Sequence, residues 1–153
     1  MPSTRIVQHI RASRAKVYRA LIDPAAVAVW KVPDDMSCQI HFFEAREGGR
    51  FRISLTYQEP GHAGKTTSHS DTYHGRFARL VPDELVVEVD EFETQDPTLQ
   101  GEMTITLTLR DAEGGTELLA VHDDLPPGLS PADNELGWRI SLAKLAAYVE
   151  GRA

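Results

Sequence analysis

The sequence predicts an α+β fold in which a curved, seven-stranded antiparallel sheet wraps around one long C-terminal helix, with two short helices after the first strand. Three observations predict it. Between residues 38 and 123, six segments alternate apolar and polar residues with period 2 and are joined in pairs by turn residues. Near the C-terminus, Trp138, Leu142, Leu145 and Val149 are spaced by 4, 3 and 4, which gives one apolar stripe on a helix. A sheet with one apolar face has to be covered, and the final helix is the only element long enough to cover it. A sheet of that many strands also twists and curls, so it closes around its cover.

Taken in order, Thr4–Ile10 alternates and reads as a strand. Ser13 can cap a short helix over Arg14–Ile22, with Val17 and Leu21 four apart on one face. Asp23-Pro24 is a second start signal, an N-cap followed by proline at the first helical position, with Val27 and Trp30 turned inward and Pro33 ending the helix. Cys38, Ile40 and Phe42 are expected on one face of the next strand. Phe51, Ile53, Leu55 and Tyr57 share one face of the strand after it, with Arg52, Ser54 and Thr56 on the other.

Between those two strands lies Glu47-Gly48-Gly49-Arg50-Phe51. Paired glycines beside an arginine can cradle phosphate, but such a loop runs from a strand into a helix N-terminus. Here the residues after Gly49 have period 2, so the segment reads as a hairpin turn with glycines supplying positive φ. The stretch from Gln58 to Ser68, with Pro60, Gly61 and Gly64, is long for a connection in a compact domain, a length often associated with function. A lid is the expectation there.

Thr72–Leu80 and Glu84–Phe92 form a second hairpin around Val81-Pro82-Asp83. Gly101–Arg110 and Thr116–Asp123 form a third, turning at Ala112–Gly115. Met103, Ile105, Leu107 and Leu109 alternate with Thr104, Thr106 and Thr108, as in a strand with one wet face. Ser130-Pro131 with Asp133 then supplies the cap, the helical proline and the first-turn acid of the last helix, which is expected to run to about Glu150.

The whole chain sets limits on function. Its 153 residues suit one domain spanning 1–153, and 41% hydrophobic with 25% charged residues is ordinary for a globular protein. A net charge of −7 argues against nucleic acid or an anionic membrane as main partner, since both need clustered Lys and Arg. The lone Cys38 allows no intrachain disulfide and no cysteine zinc cluster. The N-terminal residues lack the apolar core of a signal peptide, and no apolar run is long enough to span a bilayer. A cytoplasmic location is therefore expected.

The order of elements, with Val17–Leu21, Asp23-Pro24, Trp30 and Pro33, resembles the Bet v 1-like (START-like, SRPBCC) superfamily. Gly48-Gly49, Gly75, Pro82, Gly115-Thr116, His122 and Gly137-Trp138 with Leu142 and Leu145 narrow the resemblance to the branch related to the C-terminal domain of the activator of Hsp90 ATPase. The resemblance covers essentially the whole chain. It implies a helix-grip fold with a deep cavity between sheet and C-terminal helix. Members bind apolar or aromatic small molecules, act as cyclases, dehydratases or hydrolases, or serve as co-chaperone modules. The chain has no counterpart of the eukaryotic activator's separate N-terminal domain, which argues against a full Hsp90-activating role.

Strand parity and this resemblance together give the candidate cavity residues: Trp30, Phe51, Ile53, Leu55, Tyr57, Tyr73, Phe77, Met103, Ile105, His122, Trp138 and Leu142. His122 shares the parity of Leu118 and Ala120 and so points into the enclosed space, where a histidine or tyrosine could serve as acid or base. The two tryptophans are expected at opposite ends or flanks. No nucleophile elbow is present. Six histidines invite a metal, but none forms a helical His pair, and His69, Asp71 and His74 make the best remaining set. The expectation is a protein without metal or cofactor that binds an apolar or aromatic small molecule, as monomer or homodimer. An enzyme using the same cavity and a chaperone-linked module are the alternatives.

Overall fold

Ser13 opens the first helix by accepting a hydrogen bond from the Lys16 N–H, and Asp23 both ends that helix and caps the next through the Ala25 N–H. These caps fix α1 (Arg14–Ile22) and α2 (Pro24–Trp30) directly after β1 (Thr4–Ile10). The structure, a computed structural model, describes residues 3–32, 36–57 and 70–151. The Gln58–Ser68 segment, His69 and Pro33 lie outside the described residues, as does the side chain of Tyr57.

Six further strands follow: β2 (Met36–Phe43), β3 (Arg50–Tyr57), β4 (Ser70–Val81), β5 (Leu85–Phe92), β6 (Met103–Ala112) and β7 (Gly115–Asp123). They form one antiparallel sheet in the order β1-β7-β6-β5-β4-β3-β2, so every sequential pair from β2 to β7 is also a spatial pair and β1 returns to the far edge. The long helix α3 (Pro131–Val149) starts at Ser130, whose hydroxyl accepts from the Asp133 N–H, and lies in the grip of the sheet. The fold is the expected helix grip.

One continuous core changes character along the sheet. Ile6, Ile10, Val17, Leu118, Leu142, Leu145 and Val149 form an aliphatic core under the C-terminal half of α3. Towards β2, Phe43, Phe77, Phe51 and Tyr73 form a chain of rings with successive centroids 5.4, 5.2 and 6.3 Å apart. Such offset and edge-on contacts suit the ring quadrupoles.

Two local readings change. The register of β2 against β3 slips between Ile40 and Phe42, so Phe43 turns in to the ring chain while Phe42 is 47% exposed. A bulge of this kind flips the faces of all later residues. At the hairpin, Gly48 alone has positive φ, +77°; a Cβ at Gly49 would lie 2.1 Å from the Glu44 carbonyl oxygen, so that glycine is required by close approach. The Gly48 and Gly49 N–H groups donate to Phe77 O and Arg46 O, which makes the segment a turn continuous with the sheet.

Candidate functional site

The strand β5 departs from the rule that the inward face is apolar. Val86, Glu88 and Asp90 are the buried positions, and Val87 and Val89 face the other way. Burying two carboxyls two residues apart needs a counter-charge, since an unpaired buried ion is strongly disfavoured. It comes from α2. Lys31 caps that helix through its N–H to Val27 O and sends its side chain inward, Nζ lying 2.5 Å from Glu88 Oε1, with the two side chains only 10% and 6% exposed. The ammonium also stands 5.5 Å from the ring centres of Phe51 and Tyr73 and 5.7 Å from Trp138, within cation–π range of all three. Burial alone would lower its pKa, but Glu88 above all, then Tyr73 and Asp90, hold it above the ordinary lysine value.

Gly75 makes room for this cluster. It pairs with Asp90 in the register of β4 and β5, and a Cβ there would lie 2.4 Å from Val89 O and 2.7 Å from both Asp90 Oδ1 and the Phe51 ring. Asp90 is 2% exposed, and its Oδ1 has no hydrogen-bond partner. Burial first, then the Glu88 carboxylate and a hydrogen bond to it, push the Asp90 pKa well above the usual carboxylate range, against the pull of Lys31. One ammonium and two carboxyls reach neutrality when one carboxyl keeps its proton, and the raised pKa of Asp90 is in that direction. Burial likewise raises the Tyr73 phenol, so it stays neutral.

A second buried polar group lies on β7. His122 is 1% exposed and packs against Trp138 with ring centres 4.6 Å apart. The Asn134 side-chain amide bridges His122 Nδ1 at 3.1 Å and Thr4 Oγ1 at 3.3 Å. With that amide donating to Nδ1, Nε2 carries the ring proton, and it finds no partner. Burial, assisted by Lys31, lowers the His122 pKa to about 4, so the ring is neutral near pH 7.

Between these groups and the N-terminal half of α3 is a cavity of about 200 Å³. Of the residues expected to line it, Leu55, Tyr73, Met103, Ile105 and Trp138 do so. Trp30, Phe51, Ile53, Phe77 and Leu142 are instead packed into the core. His122 lies outside the lining, beneath Trp138. The two tryptophans meet edge to face, 6.1 Å apart, so they sit together and do not flank the molecule. Lys31, Asp71, Asp90, Phe92, Asn134 and Ser141 also line the cavity and were not expected from sequence. The signal for Asp90 was present in Val87-Glu88-Val89-Asp90, where carboxyls take the alternate positions of a central strand. Lys31 carried none, because a lysine after a helix reads as a partner of the helix dipole.

Among the described residues, no group of three His, Cys, Asp or Glu side chains could hold a metal ion. His74 instead pairs with Glu93, Nδ1 to Oε2 at 3.1 Å, on the outer face of the sheet. No helix among the described residues is long and apolar enough to cross a membrane.

Residues 11–150 match the family model described as Activator of Hsp90 ATPase homolog 1-like protein. A solved protein from Chromobacterium violaceum is 32% identical with a TM-score of 0.87, the match covering 97% of this chain and 96% of that one. A protein from Rhodobacter sphaeroides is 21% identical, TM-score 0.76, covering 97% and 93%. The AHSA1-like protein from Aeromonas hydrophila is 20% identical, TM-score 0.74, covering 98% and 93%; at such identities the likeness concerns the fold. No curated protein matches the sequence.

Proposed function

The chain belongs to the family of Activator of Hsp90 ATPase homolog 1-like proteins, a family of ligand-binding domains in general, and from that premise we propose that it binds one small aromatic or apolar molecule between the sheet and α3. The observation that carries this reading is the 200 Å³ cavity, walled by Leu55, Met103, Ile105, Phe92 and Trp138 with a few polar tips among them. Apolar walls with sparse polar groups are the usual make-up of a ligand site. Size sets the ligand class. An apolar cavity of about 150 Å³ admits benzene, whereas drug-sized ligands occupy roughly 300–1,000 Å³. One substituted ring fits here.

Ser141 gives a clean test, because it is buried on the cavity wall. Ligand-observed NMR should detect saturable toluene binding to the native chain. Ser141→Phe fills the space and should abolish toluene binding without lowering the melting temperature. Absence of toluene binding to the native chain, or undiminished binding to folded Ser141→Phe, contradicts the proposal.

A further inference from the structure

Two hydroxyls of the cavity differ from the polar atoms sealed around it. Among the described residues, the buried side-chain atoms that are both closed to water and without a partner are Asp90 Oδ1 and His122 Nε2. Tyr73 and Ser141 are also buried, 6% and 7% exposed, and their hydroxyls have no hydrogen-bond partner among the described residues, yet neither oxygen is closed off. Both residues line the cavity. With the rest of each side chain packed, the surface left to these two oxygens is the cavity's own.

The hydroxyls come from opposite walls. Tyr73 stands on β4, paired with Ile53 of β3 and Phe92 of β5. Ser141 continues the stripe of Asn134, Gly137 and Trp138 by which α3 faces the cavity. A helical serine can return its proton to the carbonyl one turn back, and Ser141 makes no such bond. Each hydroxyl thus keeps one proton to donate, and burial holds the Tyr73 phenol in its protonated form. The neighbouring walls, Leu55, Phe92, Met103 and Ile105, accept no hydrogen bond. Buried tyrosine hydroxyls usually find a partner. We propose that the cavity selects an uncharged ligand bearing a hydrogen-bond acceptor, a carbonyl on a single ring before all, which takes the protons of Tyr73 Oη and Ser141 Oγ. This inference rests on the ligand-binding reading above and adds the chemistry of the ligand's polar end. A ligand cation would meet the Lys31 ammonium, which stands over the rings of Tyr73 and Trp138. A ligand carboxylate would meet the carboxyls of Asp71 and Asp90 on the lining.

Acetophenone and α-methylstyrene have nearly the same planar shape, so comparing them isolates the carbonyl oxygen. Transfer from water favours α-methylstyrene, and a preference for acetophenone therefore requires donors in the site. Titrations of the native chain should give acetophenone at least about threefold tighter, as expected where a site is built to hydrogen-bond its ligand. Benzylamine and benzoate should both bind more weakly than acetophenone. Tyr73→Phe and Ser141→Ala remove one hydroxyl each; either should shrink the preference, and the double variant should reverse it. Binding of α-methylstyrene as tight as that of acetophenone overturns this inference and leaves the binding reading intact. Tighter benzylamine or benzoate binding also overturns it, as does an acetophenone preference undiminished in the folded double variant. Absence of binding by every probe, toluene included, overturns both. The native-chain comparison decides the matter even if a variant fails to fold.

Discussion

The two halves of α3 cover the same sheet with different results. Its C-terminal half presents Leu142, Leu145, Ala146 and Val149, all buried, and closes the aliphatic core completely. Its N-terminal half presents Asn134, Gly137, Trp138 and Ser141 to the cavity, where the sheet offers Lys31's partners and the unmatched Asp90. Backbone geometry is shared, so side-chain size and polarity alone decide whether the grip is filled or hollow. A filled region contributes stability through apolar burial, at about 25 cal/mol per Å². The hollow region forgoes that contribution.

Truncation should break this contrast most strongly. Leu145→Ala in the sealed half is expected to lower unfolding free energy by about 2–5 kcal/mol, the range for fully buried leucines. Chemical denaturation checks it; a loss below 1 kcal/mol would mean the core relaxes into the cavity and the halves are not distinct.

The next effect is pH-dependent and separates the two unmatched polar groups. The folded pKa of His122, about 4, lies below its ordinary 6.5. The unfolded histidine therefore takes up a proton first as pH falls, and stability present above pH 6.5 is lost between 6.5 and 4, up to about 3 kcal/mol. Asp90 has the opposite sign. Its folded pKa is raised above 3.8 by burial, then by Glu88 on the same strand, against Lys31 from the end of α2. The unfolded carboxyl ionises first, so stability present below pH 3.8 is lost as pH rises towards the folded pKa, at up to about 1.4 kcal/mol per unit. The slopes oppose each other in the native chain. In Asp90→Asn the opposing slope is removed, and this variant should outlast the native chain in urea increasingly as pH rises from 4 to 7. Parallel pH profiles for the two chains would show that Asp90 ionises normally.

The smallest effect sharpens the same comparison. A Cβ at Gly137 would meet nothing within 4 Å. Gly137→Ala should therefore raise stability by about 0.8–1 kcal/mol through helix propensity alone, measurable as a higher denaturation midpoint. A loss would mean that the helix surface at the cavity mouth has no such space.

Much of this architecture was legible beforehand. Caps at Ser13, Asp23 and Ser130 and the period-2 strands depend on neighbours in sequence, and the structure realises each of them. Parity failed at Phe42, because a bulge is set by pairing with β3 and not by β2 itself. Among the candidate cavity residues, parity identified the inward face but not depth: Phe51 and Leu55 share a face, yet Phe51 packs among rings and Leu55 lines the cavity. The polar pole of the site was least legible. Lys31, Glu88 and Asp90 come from elements far apart in sequence, and only the register that sets Gly75 beside Asp90 makes room for them.

The most direct measurement follows methyl resonances of the chain during a toluene titration. Methyls of Leu55, Met103, Ile105 and Leu129, around the cavity, should shift in a saturable way, while those of Ile10, Leu118, Leu145 and Val149 in the sealed half stay unmoved. Saturable shifts centred on the sealed half, or no saturable shifts at all, would contradict the division of the grip into a filled half and a binding half.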